Sequence, residues 1–566
     1  MRKLRWPLLI ALGALLLLLG YLLGGRPTFQ PAAQEPVAGG VYREALVGSI
    51  VRLNPVLDAF NQVDRDIDRL LYRGLVGYDY RGVIVPELAD SWAVSADATL
   101  YTFSLRRAAR WHDGEPVTAD DVIYTFSLLQ DPQYPGPADL QALWSEIEIR
   151  RLDERTVQFQ LPEPFAPFPD YLTMGLLPEH LLRGVSAAEL VDHPFHIEPI
   201  GTGPFRFERY LMNEGQIAGV RLGRWEDFYG GAPLLEAVAL HTFADEAAAF
   251  SALRQGQVEG LGDVSRSLLP RVLEDPQLAL YSARRPSFAV VFLNVNHPEK
   301  TFLADKRLRQ ALLLAINRQW IIDSILQGQA VMASGPILPG SWAHSPSVPT
   351  YPYDPFRAAQ MLDQLDWKLP PGAMPGSPEY VRRQEDTPLA ITLNFAAQGD
   401  HPAIAQAIAE NWRAVGIQVE LQPIQPADLV PEVLVPRGFE AALTDLLLGP
   451  FPDPDPYPFW HDTQAETGQN YSGFSDRNIG IWLEKARITP AISTRQELYK
   501  SFQHRFQDQL PALILYAPIY NFAINAHIGG VSLGPIYDPS DRFQSITRWY
   551  FLAPTAPEIE AAGQQE

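Results

Sequence analysis

The stretch from Ser287 to Asp323 constrains the fold more than any other. Ser287-Phe-Ala-Val-Val-Phe-Leu-Asn-Val-Asn296 is a β-branched and aromatic run that predicts a buried strand. Lys306-Arg-Leu-Arg-Gln-Ala-Leu-Leu-Leu-Ala-Ile-Asn-Arg318 predicts a helix soon after it. The helix places Leu308, Ala311, Leu312, Ala315 and Ile316 on one face and Arg307, Arg309, Gln310 and Asn317 largely on the other, with Asp305 positioned to cap its free N–H groups. Strand, loop and helix make one α/β unit about halfway along the chain, flanked by other α/β segments. The strand is therefore read as a crossing between two lobes.

A chain of 566 residues, 46% hydrophobic and 20% charged, is globular and too long for one core, so two or three domains are expected. A formal net charge of −21 with no compensating basic run argues against nucleic acid as a partner. The chain has no Cys, which removes disulfides, thiolate metal sites, a cysteine nucleophile and lipid attachment at an N-terminal Cys. Arg2, Lys3 and Arg5 precede an unbroken apolar run from Leu8 to Leu23, a charged region followed by a hydrophobic one, as in an export signal. From Trp6 to Gly25 the run approaches the ~20 residues that span a bilayer, so segment 1–25 reads as a signal sequence or membrane anchor. Its length and the absence of a clean small-x-small site favour the anchor. Residues 26–40 read as a Pro/Ala/Gly linker, and the tail 553–566 as disordered.

Val41-Tyr-Arg-Glu-Ala-Leu opens the folded part as a strand, and Asp66 to Arg73 is helical up to Gly74. Leu100-Tyr-Thr-Phe-Ser-Leu-Arg106 alternates as a half-buried strand, and Glu146 to Leu152 with Arg155 to Leu161 predicts a hairpin around Asp153-Glu154. His112, Asp113 and Glu115 resemble metal ligands by type. However, Asp113-Gly114 is turn chemistry, and Thr118 with Asp121 is a capping pair for a helix from Asp120 to Leu129, so no metal site is assigned. Gly201-Thr-Gly203 is not a nucleotide fingerprint, because Pro204 and a strand follow it. No Gly-x-Ser-x-Gly, His-Glu-x-x-His or P-loop occurs, so no catalytic residue and no cofactor is assigned. Leu513-Ile-Leu-Tyr516 predicts a short buried strand near the end.

Leu446-Leu-Leu-Gly-Pro-Phe-Pro-Asp-Pro-Asp-Pro-Tyr-Pro-Phe-Trp-His461 is stiff, since alternating prolines fix φ and remove donors. It would present Asp453, Asp455, Tyr457 and Trp460 with little entropy left to lose on binding. The competing reading is a rigid Pro-rich lobe edge with solvated carboxylates. Trp342, just after Pro339-Gly340, is an aromatic wall on one reading and a core or lobe-surface tryptophan on the other.

The sequence resembles the family 5 extracellular solute-binding proteins, the peptide and nickel receptors of ABC importers. The resemblance rests on Phe292-Leu-Asn-Val-Asn296, Phe302, Asp305-Lys-Arg-Leu-Arg-Gln-Ala311, Ala315-Ile-Asn-Arg318 and, most closely, Trp111-His-Asp-Gly-Glu-Pro-Val-Thr-Ala-Asp-Asp-Val122. It implies an α/β, two-lobed type II periplasmic-binding-protein-like fold with an extra strand-rich domain inserted in the first lobe. The first lobe would comprise 41–82, 199–286 and a return segment 526–552, with the insert at 83–198 and the second lobe at 287–525. The family puts the Leu53-Asn-Pro55 loop at the mouth of the ligand cleft, which makes Asn54 a candidate contact; its alternative role is to shape a turn before Pro55. Asn470-Tyr-Ser-Gly-Phe474 also matches, adding Asn470 and Tyr471. Peptide receptors of this family carry an aspartate for the ligand's α-ammonium where this chain has Pro450, which puts free N-terminus recognition in doubt. Asp445 and Asp453 both have the charge to replace it.

The implied function is capture of a small ligand, an oligopeptide first of all, and its delivery to ABC permease subunits by a monomeric receptor outside the cytoplasm, tethered to the plasma membrane by its N-terminal helix. The alternatives are a sensor of the same fold without transport, or a receptor for a metal chelate or sugar.

Overall fold

The computed structural model describes residues 38–552. The expected anchor, the linker up to residue 37 and the tail lie outside them. Among the described residues no helix is long and apolar enough to cross a membrane.

One twelve-stranded mixed sheet runs through both lobes. In the first lobe the strands Phe205–Asn213, Gln216–Arg224, Ala237–Phe243, Val41–Val47 and Gly260–Leu261 lie side by side in that order. In the second the order is Gln418–Ile424, Ala390–Ala396, Ala441–Leu447 and Ser287–Leu293. Val41–Val47 is parallel to both Ala237–Phe243 and Gly260–Leu261, and Ala390–Ala396 is parallel to both of its neighbours. Parallel pairing requires crossovers, supplied by the helices Glu246–Arg254 and His401–Ala414.

Ser287–Leu293 is buried at all seven positions because both of its faces are covered. Val291 and Leu293 face one core of the second lobe, while Phe288, Val290 and Phe292 face another. This strand is not the crossing the sequence suggested, since it lies wholly in the second lobe. The chain passes over at Arg285-Pro286 and returns inside the 14-residue strand Ala512–Asn525. Residues 512–516 of that strand pair with Ser287–Leu293, and residues 519–525 pair with Leu278–Arg284 of the first lobe. The return therefore begins near Pro518 rather than after Asn525.

The insert carries the antiparallel sheet Ala89–Val94, Leu100–Leu105, Thr156–Gln160, Glu148–Asp153. The helix Ala119–Gln130 also belongs to it, and the Asp121 carboxylate accepts from the Thr118 N–H at 2.7 Å to cap that helix. Its core is continuous with that of the first lobe. Phe103, Trp144 and Phe168 of the insert belong to the same buried cluster as Leu53, Ile67 and Leu240. The second lobe packs around separate clusters, so the protein consists of two bodies joined at two passages of chain.

Three charged or polar groups set this frame. Asp305 caps Lys306–Ala315 as expected, accepting from the Arg307 N–H. Arg309 does not lie on a solvated face: it is 2% exposed and donates to the carbonyls of Leu303, Gln509 and Leu510, at 2.6, 2.6 and 2.8 Å. It thereby satisfies the end of the helix Ile492–Gln509, where Leu510 takes a left-handed conformation with φ 45°. Burial lowers the Arg309 pKa to about 10. His112 joins the insert to the first lobe, its Nδ1 accepting from the Gly201 N–H at 3.1 Å and its Nε2 meeting the Gly203 carbonyl at 3.0 Å.

Candidate functional site

Open α/β sheets place ligands beyond the carboxyl ends of their strands. Here the ends of Gly260–Leu261, Ala390–Ala396 and Ala441–Leu447 converge on a cleft of about 450 Å3, backed by Tyr516 to Asn521 of the strand that joins the lobes. The first lobe contributes Arg266 and Arg285, and the second contributes Asp400, His401 and Asp445.

The charges are paired across and along the cleft. Arg266 of the first lobe reaches over to Asp400 of the second, Nη2 to Oδ1 at 2.6 Å, and also donates to the Ile325 carbonyl at 2.6 Å. Arg285 pairs with Asp263 and lies over the Tyr520 ring, its centre 5.6 Å away; burial lowers its pKa. His401 Nε2 sits 3.4 Å from Asp445 Oδ2. Burial pushes the Tyr516 phenol up, with Asp445 and Asp400 adding to the effect, so Tyr516 is a neutral donor. These two guanidinium groups thus face three carboxylates, those of Asp263, Asp400 and Asp445, so the carboxylates outnumber the guanidinium groups. Asp445, with a side chain 48% exposed, is the carboxylate most open to an incoming cation.

Of the residues singled out in the sequence, Asp445 alone lines this cleft. Trp342 and Asp453 meet elsewhere, around a space of about 150 Å3 in the seam between the insert and the second lobe. There Asp453 is held by Arg495, Oδ2 to Nη1 at 2.5 Å, and the Arg495 guanidinium lies 5.0 Å from the Trp342 ring centre. Asp455 pairs with Arg487 at 2.8 Å, and that guanidinium also stacks over Tyr457 at 4.2 Å.

The Pro-rich segment is thus stiff, but its carboxylates are neither solvated nor free for a ligand, because arginines of the second lobe already neutralise them. Trp460 is 3% exposed and packs between Phe292 and Phe506, a core residue rather than a cleft wall. Asn470 is fully buried: it donates to the carbonyls of His461 and Phe474 and accepts from the Ser472 hydroxyl. Tyr471 packs edge-on to Phe292 at 5.5 Å. Asn54 is also fully buried and accepts from the Val56 N–H at 2.9 Å, the turn-shaping role.

Sequence reasoning missed Arg266, Asp400, His401 and Tyr516. They come from three segments far apart in the chain, and only the fold brings them together. One local signal was present, since Gly399-Asp400-His401 sits between the end of a strand and the start of a helix.

Residues 83–469 match the model of the family described as bacterial extracellular solute-binding proteins, family 5 Middle. "Di/tripeptide-binding protein 2" of Pseudomonas aeruginosa is 28% identical over 496 residues, covering 82% of this chain and 87% of that protein. The "Dipeptide-binding protein" of Escherichia coli is 26% identical over 532 residues, 88% of this chain and 94% of that one. The solved structure of HbpA2 from Haemophilus parasuis superposes with a TM-score of 0.77 at 21% identity, over 90% of this chain and all of that one, and shares the fold. The family match spans well over half of the chain, in a two-lobed molecule with a charged cleft at its strand ends: the chain belongs to the bacterial extracellular solute-binding proteins, family 5.

Proposed function

We propose that this protein binds a short peptide in the cleft between its lobes and presents it to the membrane subunits of an ABC importer, acting as a receptor and not as an enzyme. The observation that carries this reading is the charge layout of the cleft. A zwitterionic peptide has an ammonium group to meet the exposed Asp445 and a carboxylate that would take over Arg266 or Arg285 in exchange for Asp400 or Asp263, carboxylates more exposed than Asp453 and Asp455. Peptide-binding relatives of similar length support it. Binding both lobes is possible only when they are close together, and that differential affinity would drive closure. The tether and a monomeric state belong to the same proposal.

A thermal-shift screen of the full chain against di- and tripeptides tests it. A peptide at a hundredfold excess over its Kd stabilises the fold by about 2.7 kcal/mol. If peptides leave the melting temperature unchanged while a nickel–histidine chelate or a sugar raises it, the peptide reading is wrong. With Pro450 in place of the family aspartate, the ammonium anchor falls to Asp445. Asp445→Asn should therefore weaken trialanine by about tenfold to a hundredfold in calorimetry, the worth of a charge-assisted hydrogen bond. N-acetylation should then cause no further loss.

A further inference from the structure

The seam between the insert and the second lobe holds more negative than positive charge, on side chains that are largely withdrawn from bulk solvent around the space of about 150 Å3 beside Trp342. Asp170 of the insert is 4% exposed and faces Asp453, 8% exposed, and Arg495, 3% exposed, both of the second lobe. Arg495 is committed to Asp453 at 2.5 Å and to the Tyr499 hydroxyl at 2.9 Å. Asp453 also accepts the Asp455 N–H at 3.1 Å. Among the described residues, the Asp170 carboxylate receives only a long bond, from the Asp453 N–H at 3.4 Å. Two carboxylates thus share one guanidinium, and the less well solvated of the two is on the other body.

The remaining neighbours do not supply the missing charge. Tyr171 beside Asp170 and Tyr537 from the return segment are phenols whose pKa values burial pushes up, and Tyr101 is held up the same way. Asp455 and Arg487 neutralise each other, and Asp79 is paired with Arg81. A buried carboxylate in this position is favoured in its protonated form, because burial and the adjacent Asp453 both oppose its charge.

The insert shares its core with the first lobe, so opening the hinge separates Asp170 from Asp453 and returns it to water. We propose that Asp170 makes closure of the two bodies a proton-taking step, so that the protein closes more readily, and holds its ligand more tightly, in mildly acidic surroundings. This rests on the binding reading above only in taking the closed form as the one that retains ligand. The sign follows from linkage: a group whose pKa is higher in the closed form stabilises that form fully below its open-form pKa. The stabilisation is lost as pH rises through the closed-form value.

The chain has no Cys, so Glu163→Cys and Glu497→Cys, exposed positions on the insert and the second lobe, can be labelled cleanly with a donor and acceptor pair. Energy transfer in the ligand-free protein then reports the ratio of closed to open forms, whether or not any peptide binds. As pH is raised from about 5 to about 8, that ratio should fall, by up to about tenfold per pH unit where Asp170 loses its proton, the slope for one proton. With Asp170→Asn added, the ratio should stay at its acid-side value throughout. A flat profile in the protein that keeps Asp170 overturns the inference even if the Asn variant fails to fold. An unchanged pH-dependent profile in Asp170→Asn overturns it as well. Failure of the peptide screen alongside the expected profile would sink the ligand assignment alone.

Discussion

At the scale of single residues, burial and pairing decide what a side chain can do, and residue type alone does not reveal them. Trp460 and Asp445 lie fifteen positions apart around the same Pro-rich segment, yet one is core and the other faces the cleft. Trp460→Ala should cost about 3–5 kcal/mol in urea unfolding through the cavity it leaves between Phe292 and Phe506, with peptide selectivity unchanged in what still folds. The prolines made stiffness legible in the sequence, but not which way Asp453 and Asp455 turn. That depends on Arg495 and Arg487, which come from later helices. The turn chemistry around Trp111 was legible because its determinants lie within ten residues of one another.

His112, in that stretch, carries a pH prediction. Burial lowers its pKa from 6.5 to about 4. Its stabilising contribution is complete above the unfolded value and is lost as pH falls through the folded one, amounting to roughly 3 kcal/mol over that window. Urea midpoints measured between about pH 7 and about pH 4 should fall accordingly, and His112→Gln should flatten that part of the profile.

At the scale of elements, hydrophobic periodicity located the central strand and helix, because their apolar pattern is set by local chain geometry. It could not show that Arg309 points inward, since an arginine in a helical repeat reads as solvated until the carbonyls it serves are in place. Arg309→Met keeps the aliphatic packing but leaves the carbonyls of Gln509 and Leu510 without their donor, at an expected cost of about 3 kcal/mol. Hydrogen exchange should show the loss first as fraying at the end of Ile492–Gln509. The long strand Ala512–Asn525 was seen only as far as Tyr516. Pro518 interrupts it as a strand breaker would, and the fold tolerates that proline because the strand changes partners there, from the second lobe to the first.

At the scale of the whole molecule, length implied two or three domains, and the α/β segments on either side of the central strand and helix suggested two lobes. The inserted domain came from resemblance, and the structure supplies the physical content of the two lobes. One body is built on a core shared by the first lobe and the insert, with a smaller core around Phe250 and Leu269 beside it, the other on two cores flanking Ser287–Leu293, and two passages of chain link them. The cleft draws on segments from Val264 to Asn521, which is why most of its polar residues could not be read locally. Hydrogen exchange of the full chain, with and without the peptide that raises the melting temperature most, tests this account directly. It predicts added protection at residues 262–266, 398–404, 445–450 and 516–521 together, drawn from both sides of the cleft. Protection confined to one lobe, or appearing only around Trp342 and Asp453, would contradict it.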